Sequence, residues 1–102
     1  MIPIPRTPQA DLDIIEITAY IELDSAEAAD RFFANVRSTA ELIARSPHIG
    51  HPRAGQVNGS QIRSIAVEGF PNHLMFYTAN AEGVLLLRVL HGSRALPREL
   101  AD

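Results

Sequence analysis

The stretch Ile62–Leu90, "IRSIAVEGFPNHLMFYTANAEGVLLLRVL", decides the fold. Three apolar runs lie in it: Ile62–Val67, His73–Thr78 and Val84–Leu90. Each is rich in β-branched, aromatic or aliphatic residues and reads as a strand. The intervening EGFPN and ANAEG carry the turn formers Gly, Pro and Asn. Connections this short join antiparallel neighbours, so the three runs predict a meander. Alternation along the last run assigns faces. Leu85, Leu87 and Val89 share one wholly apolar side, which is expected to meet the helices. Val84, Leu86, Arg88 and Leu90 share the other, so Arg88 is expected on the open face. An arginine inside a strand must reach water or find a carboxylate, and Glu68 or an acid from a partner would serve. His91 falls on the Leu85 side if the strand runs that far, with Gly92 marking its end.

Upstream, Pro47–Gln61 ("PHIGHPRAGQVNGSQ") reads as a long loop rich in Pro and Gly, of the kind that often carries function. His48 and His51 sit in it without a nearby third ligand, so no metal site is expected; Arg53 is expected to anchor the loop. Two helices precede it. Thr7 as N-cap and Pro8 at the first helical position start one, with Asp11 and Asp13 near its positive end. Its apolar stripe is read as Leu12, Ile15, Ala19 and Leu23, widened by Ile14, Ile17 and Ile21. Ser25 caps the second, whose stripe is Ala29, Phe32, Phe33, Val36, Ala40 and Ile43, ending near Ser46 before Pro47. The short break between them implies an antiparallel helix hairpin. At the start, Ile2 and Ile4 alternate with Pro3 and Pro5, which suits a short edge strand better than a central one. The order is β-α-α-β-β-β: one α+β domain over residues 1–102, with the antiparallel helix hairpin packed on one face of a small, mainly antiparallel sheet.

Composition narrows the function. The chain of 102 residues has no cysteine, which excludes disulfides and thiolate metal sites and fits a reducing cytoplasm. No apolar run is long enough to span a membrane, and "MIPIPR" lacks the features of a signal peptide. The net charge is −3 and all nine basic residues are arginine. A protein that grips nucleic acid broadly carries an excess of base, which this one does not.

Three motifs in order resemble a known family: "AADRF" at Ala28–Phe32, "PHIGHPR" at Pro47–Arg53 and "RVLHGSR" at Arg88–Arg94. With the β-α-α-β-β-β layout they resemble the RelE/ParE toxins of bacterial type II toxin–antitoxin systems, ParE-like branch, over nearly the whole chain. The resemblance implies a cytoplasmic toxin, of a kind linked to plasmid stabilization, held inactive in a hetero-oligomeric complex by a cognate, ParD-like antitoxin that itself contacts operator DNA. ParE-like members inhibit DNA gyrase by protein contact; RelE-like members are ribosome-dependent mRNA endonucleases. RNA cleavage needs a general base, a general acid and positive charge at the phosphorane. The nuclease branch supplies these with lysines, arginines and a C-terminal tyrosine. Here there is no lysine, His73 stands where that branch has an arginine, and "ALPRELAD" after Arg94 holds no tyrosine. The gyrase reading is therefore preferred, with no catalytic residue and no cofactor assigned. Arg88, His91 and Arg94 are the candidates for toxic activity, with Arg63 and Tyr77 weaker ones. The nuclease, in which His91 would act as acid or base, and an inactive toxin-like binding module are the alternatives.

Overall fold

The computed structural model describes residues 2–92. Two helices, α1 (Pro8–Glu22) and α2 (Ala26–Arg45), precede four strands: β1 (His51–Val57), β2 (Ser60–Val67), β3 (Phe70–Asn80) and β4 (Gly83–His91). The strands form one antiparallel sheet in the order β1-β2-β3-β4, and the helix hairpin packs on one face.

Both helices start where the capping chemistry puts them. The Thr7 hydroxyl accepts from Ala10 N and donates to Leu87 O; Ser25 accepts from Ala28 N. In α2, Ala29, Phe32, Val36, Ala40 and Ile43 are buried as the period predicts, while Phe33 is exposed. α2 also seats the β2–β3 turn. Asn35 Nδ2 donates to Glu68 O, and Thr39 Oγ1 accepts from Glu68 N.

In α1 the buried stripe differs from the one expected. Ala10, Asp13 and Ile14 are buried, and Ile17 and Ile21 pack against the core. Leu12, Ile15 and Leu23 are exposed, at 51%, 63% and 87%. The widening residues Ile14, Ile17 and Ile21 are thus the ones that reach the core, and a carboxylate lies among them, so reading apolar residues alone centred the stripe on the wrong side.

The region read as a loop contains β1. Asn58 and Gly59 both have positive φ, 50° and 82°, and form a two-residue hairpin between β1 and β2. β1 pairs through His51–Ser64 and Pro52–Arg63, then Gln56–Gln61 and Val57–Ser60, with an irregularity between. It is mostly exposed and lacks an apolar alternation, so only the Asn-Gly turn signals it.

Residues 2–7 run beside β4. Leu86 N donates to Pro5 O and Thr7 N donates to Leu86 O, making one parallel bridge at Arg6. Pro3 and Pro5 have no N–H to extend it. Ile2 and Ile4 are buried in the main core.

A bulge in β4 changes the face assignment. Phe76 pairs with Arg88 and Tyr77 with Leu86, leaving Leu87 as the extra residue. Alternation therefore breaks at Leu87. Leu86 and Val89 face the helices with Met75, Tyr77 and Val67. Leu87 and Leu90 lie on the other face with Ile62 and Phe76, and Leu85 packs against them. Of the three residues expected to meet the helices, only Val89 does. Phe76 and Tyr77, which alternation divides between faces, are both buried because each face carries a core of its own.

Candidate functional site

Arg88 does not project freely from an open face. Its Nε and one terminal nitrogen donate to the two carboxylate oxygens of Asp13, at 2.7 and 3.0 Å. The partner is thus an acid on α1, not Glu68. The side chains are 12% and 6% exposed, so this is a buried, two-pronged ion pair. Asp13 Oδ2 also accepts from Val89 N, satisfying a backbone donor of the edge strand just past the bulge. One carboxylate thereby fixes α1, the bulge and the Arg88 guanidinium relative to each other.

His91 ends β4 and is exposed. Its direct cross-strand partner is His73, with ring centroids 5.4 Å apart and nearly perpendicular. His73 in turn packs edge-on against Phe32 at 5.3 Å. Burial pushes the His73 imidazole below the ordinary histidine range, and the nearby His91 adds to this by charge repulsion. His73 Nδ1 is buried with no hydrogen-bond partner among the described residues. A recess of about 290 Å³ opens here, lined by Glu16, Tyr20, His73 and His91 among others.

Arg63 and Tyr77 form a separate group. They are direct cross-strand partners, and both grip the segment before β1. Tyr77 Oη donates to Pro47 O at 2.7 Å and accepts from Gly50 N at 2.8 Å. Arg63 donates to the carbonyls of His48 and Gly50. Burial raises the Tyr77 pKa, against the lowering effects of the Gly50 N–H and the Arg63 charge. Gly50 is required for this closeness, since a Cβ there would sit 2.6 Å from Tyr77 Oη. Arg53 anchors its segment as expected, donating to Ser64 Oγ at 2.7 Å with its guanidinium over the Phe76 ring.

The structure therefore divides the candidates. Arg88 and His91 share the end of β4, whereas Arg63 and Tyr77 form a latch on the β2–β3 row. Arg94 lies outside the described residues. The sequence reading missed Asp13 as a site residue. Its signal was an acid three residues from Ala10 and four from Ile17, inside a helix stripe. It also missed the His73–His91 pair, which follows from the register of β3 and β4. Among the described residues no cluster of three or more metal-ligating side chains occurs, and no helix is long and apolar enough to cross a membrane.

The family described as "ParE toxin of type II toxin-antitoxin system, parDE" matches residues 4–96. The chain belongs to the ParE toxin family. A solved structure titled "Chromosomal ParDE TA system from P. aeruginosa" has the same fold, with a TM-score of 0.67 at 18% identity. That match covers 89% of this ParE-family chain and 96% of the other. No curated protein matches the sequence.

Proposed function

We propose that this ParE-family chain inhibits DNA gyrase by protein–protein contact and is neutralised by a cognate, ParD-like antitoxin. The observation that carries the reading, beside family membership, is the engagement of the groups a ribonuclease would need. The Arg88 guanidinium is committed to Asp13, and the Tyr77 hydroxyl is buried in a latch with Pro47 and Gly50. A hydroxyl held this way is no proton donor for a substrate. On this reading the open sheet face and the stretch Arg88 to Arg98 carry the toxic activity. Arg88 acts there as a positioning residue that fixes the strand. The toxin works in the cytoplasm as part of a hetero-oligomeric complex and meets operator DNA only through the antitoxin.

A purified gyrase supercoiling and cleavage assay tests this. The chain should trap cleaved DNA or block supercoiling, and Arg94→Ala should weaken the effect while leaving the fold intact. An Arg94→Ala protein of unchanged potency would count against the chosen surface. Unimpaired gyrase would refute the target. One observation favours the RelE-like alternative: exposed His91 beside His73 supplies an imidazole for proton transfer. That reading requires ribosome-bound mRNA to be cut, and the cutting to be lost in His91→Ala.

A further inference from the structure

α1 carries two apolar stripes. The buried one, Ala10, Ile14, Ile17 and Ile21 with Asp13, faces the sheet and α2. Leu12, Ile15, Ala19 and Leu23 repeat at spacings of three and four on the opposite side, and all are exposed. Singly scattered apolar residues on a surface need no explanation, but a continuous row over three helical turns does. Beside this row lies an open groove of about 320 Å³ between the helices, bordered by Ile15, Thr18, Ala19 and Glu22 of α1 and Phe33 of α2. Phe33 is 41% exposed, so the groove offers an aromatic wall.

The charges around the row are of one sign. Every charged residue between Thr7 and Asp30 is acidic. At 100° per residue, Asp11 and Glu22 fall along one margin of the row and Glu16 along the other. Asp11 is matched by Arg6 within the chain. On α2, Asp30 and Arg37 lie one turn either side of Phe33 and offset each other.

We infer that the outer face of α1 is a docking surface for a basic amphipathic helix of a partner protein. Its apolar residues, spaced three and four apart, would cover Leu12, Ile15, Ala19 and Leu23. One large side chain would enter the groove at Phe33. Its Lys or Arg residues would flank the seam opposite Glu16 and Glu22. This is helix-on-helix recognition in which flanking charges choose the partner. The same charges exclude the other occupants. A second copy would set acidic margins against acidic margins, and an anionic membrane or a nucleic acid would be repelled. The inference does not depend on gyrase being the target.

The test uses the full chain and a fluorescent synthetic helix of about five turns, built from Leu at heptad core positions and Lys elsewhere. A second peptide replaces every Lys by Glu. Anisotropy titrations should show binding of the Lys peptide, weaker at high salt, and none of the Glu peptide. Ile15→Ser with Leu23→Ser should weaken binding about tenfold or more, since both positions are solvent-facing and lose apolar contact. Glu16→Lys with Glu22→Lys should invert the preference between peptides. Circular dichroism confirms that each variant folds. The inference is overturned if the Lys peptide fails to bind, or if both peptides bind alike. Binding that survives the double serine variant also overturns it. So does a free chain that sediments as a dimer dissolved by that variant, because the occupant is then a second copy.

Discussion

Replacing Asp13 by alanine should be the most damaging single change in α1. The carboxylate serves two groups: the guanidinium of Arg88, in a pair whose side chains are 12% and 6% exposed, and the N–H of Val89. Removing one partner of a buried pair costs about 3–5 kcal/mol. Stranding a buried N–H costs about 1–3 kcal/mol on the same scale, part of which that figure already contains. A loss of about 4 kcal/mol is therefore expected, against a total stability of about 5–15 kcal/mol for a domain of this kind. Urea titration should show the midpoint falling with an unchanged slope, and the melting temperature should drop by at least about 16 °C. The double variant Asp13→Leu with Arg88→Met separates the two contributions. Apolar replacement of a buried pair is often neutral, so this variant should recover most of the pair's share. It keeps the Val89 N–H without an acceptor and should remain about 1–3 kcal/mol below the parent. An Asp13→Ala protein destabilised by less than about 1 kcal/mol would refute the reasoning, because the pair would then behave as a solvent-screened surface contact.

Gly50→Ala should destabilise by about 1–3 kcal/mol, since its Cβ would lie 2.6 Å from Tyr77 Oη; thermal melting checks this. Tyr77→Phe should cost about 1–3 kcal/mol by leaving Gly50 N without its acceptor, yet leave toxicity per folded molecule unchanged, as growth assays scaled to soluble protein would show. His73 has a folded pKa below its unfolded value, so the unfolded chain takes up the proton first on acidification. Stability should fall as pH drops below about 6.5, and urea titrations across that range should show a smaller fall in His73→Phe. Thr7→Ala removes both the cap to Ala10 and the bond to Leu87 O and should cost about 1–2 kcal/mol, read from the same titrations.

The legible parts of the fold were those with local causes. Thr7-Pro8 and Ser25 mark helix starts because their oxygens satisfy N–H groups three residues on. Phe32, Val36, Ala40 and Ile43 mark a buried face because nothing polar interrupts them. The misread parts depend on distant partners. Asp13 is tolerated in a core stripe only because Arg88 and Val89 N, 75 and 76 positions away, receive it. The bulge at Leu87 reverses two faces, and no turn residue within "VLLLRVL" announces it. β1 holds little apolar pattern, so Asn58-Gly59 was its only local sign. For the candidate site, β4 was located correctly as the carrier of Arg88 and His91. Their actual neighbours, Asp13 and His73, follow only from register and helix docking.

The stitching of residues 7–13 to residues 86–89 also orders events during synthesis. The Thr7 bond to Leu87 O and the Asp13 contacts to Arg88 and Val89 form only when a segment 75 to 80 positions later exists. Until then a carboxylate sits in the apolar stripe of α1 with no cation to receive it, so the helix hairpin has no reason to persist alone. Its closure belongs with the late, long-range contacts that slow folding. A growing chain therefore completes its core only after β4 has been made.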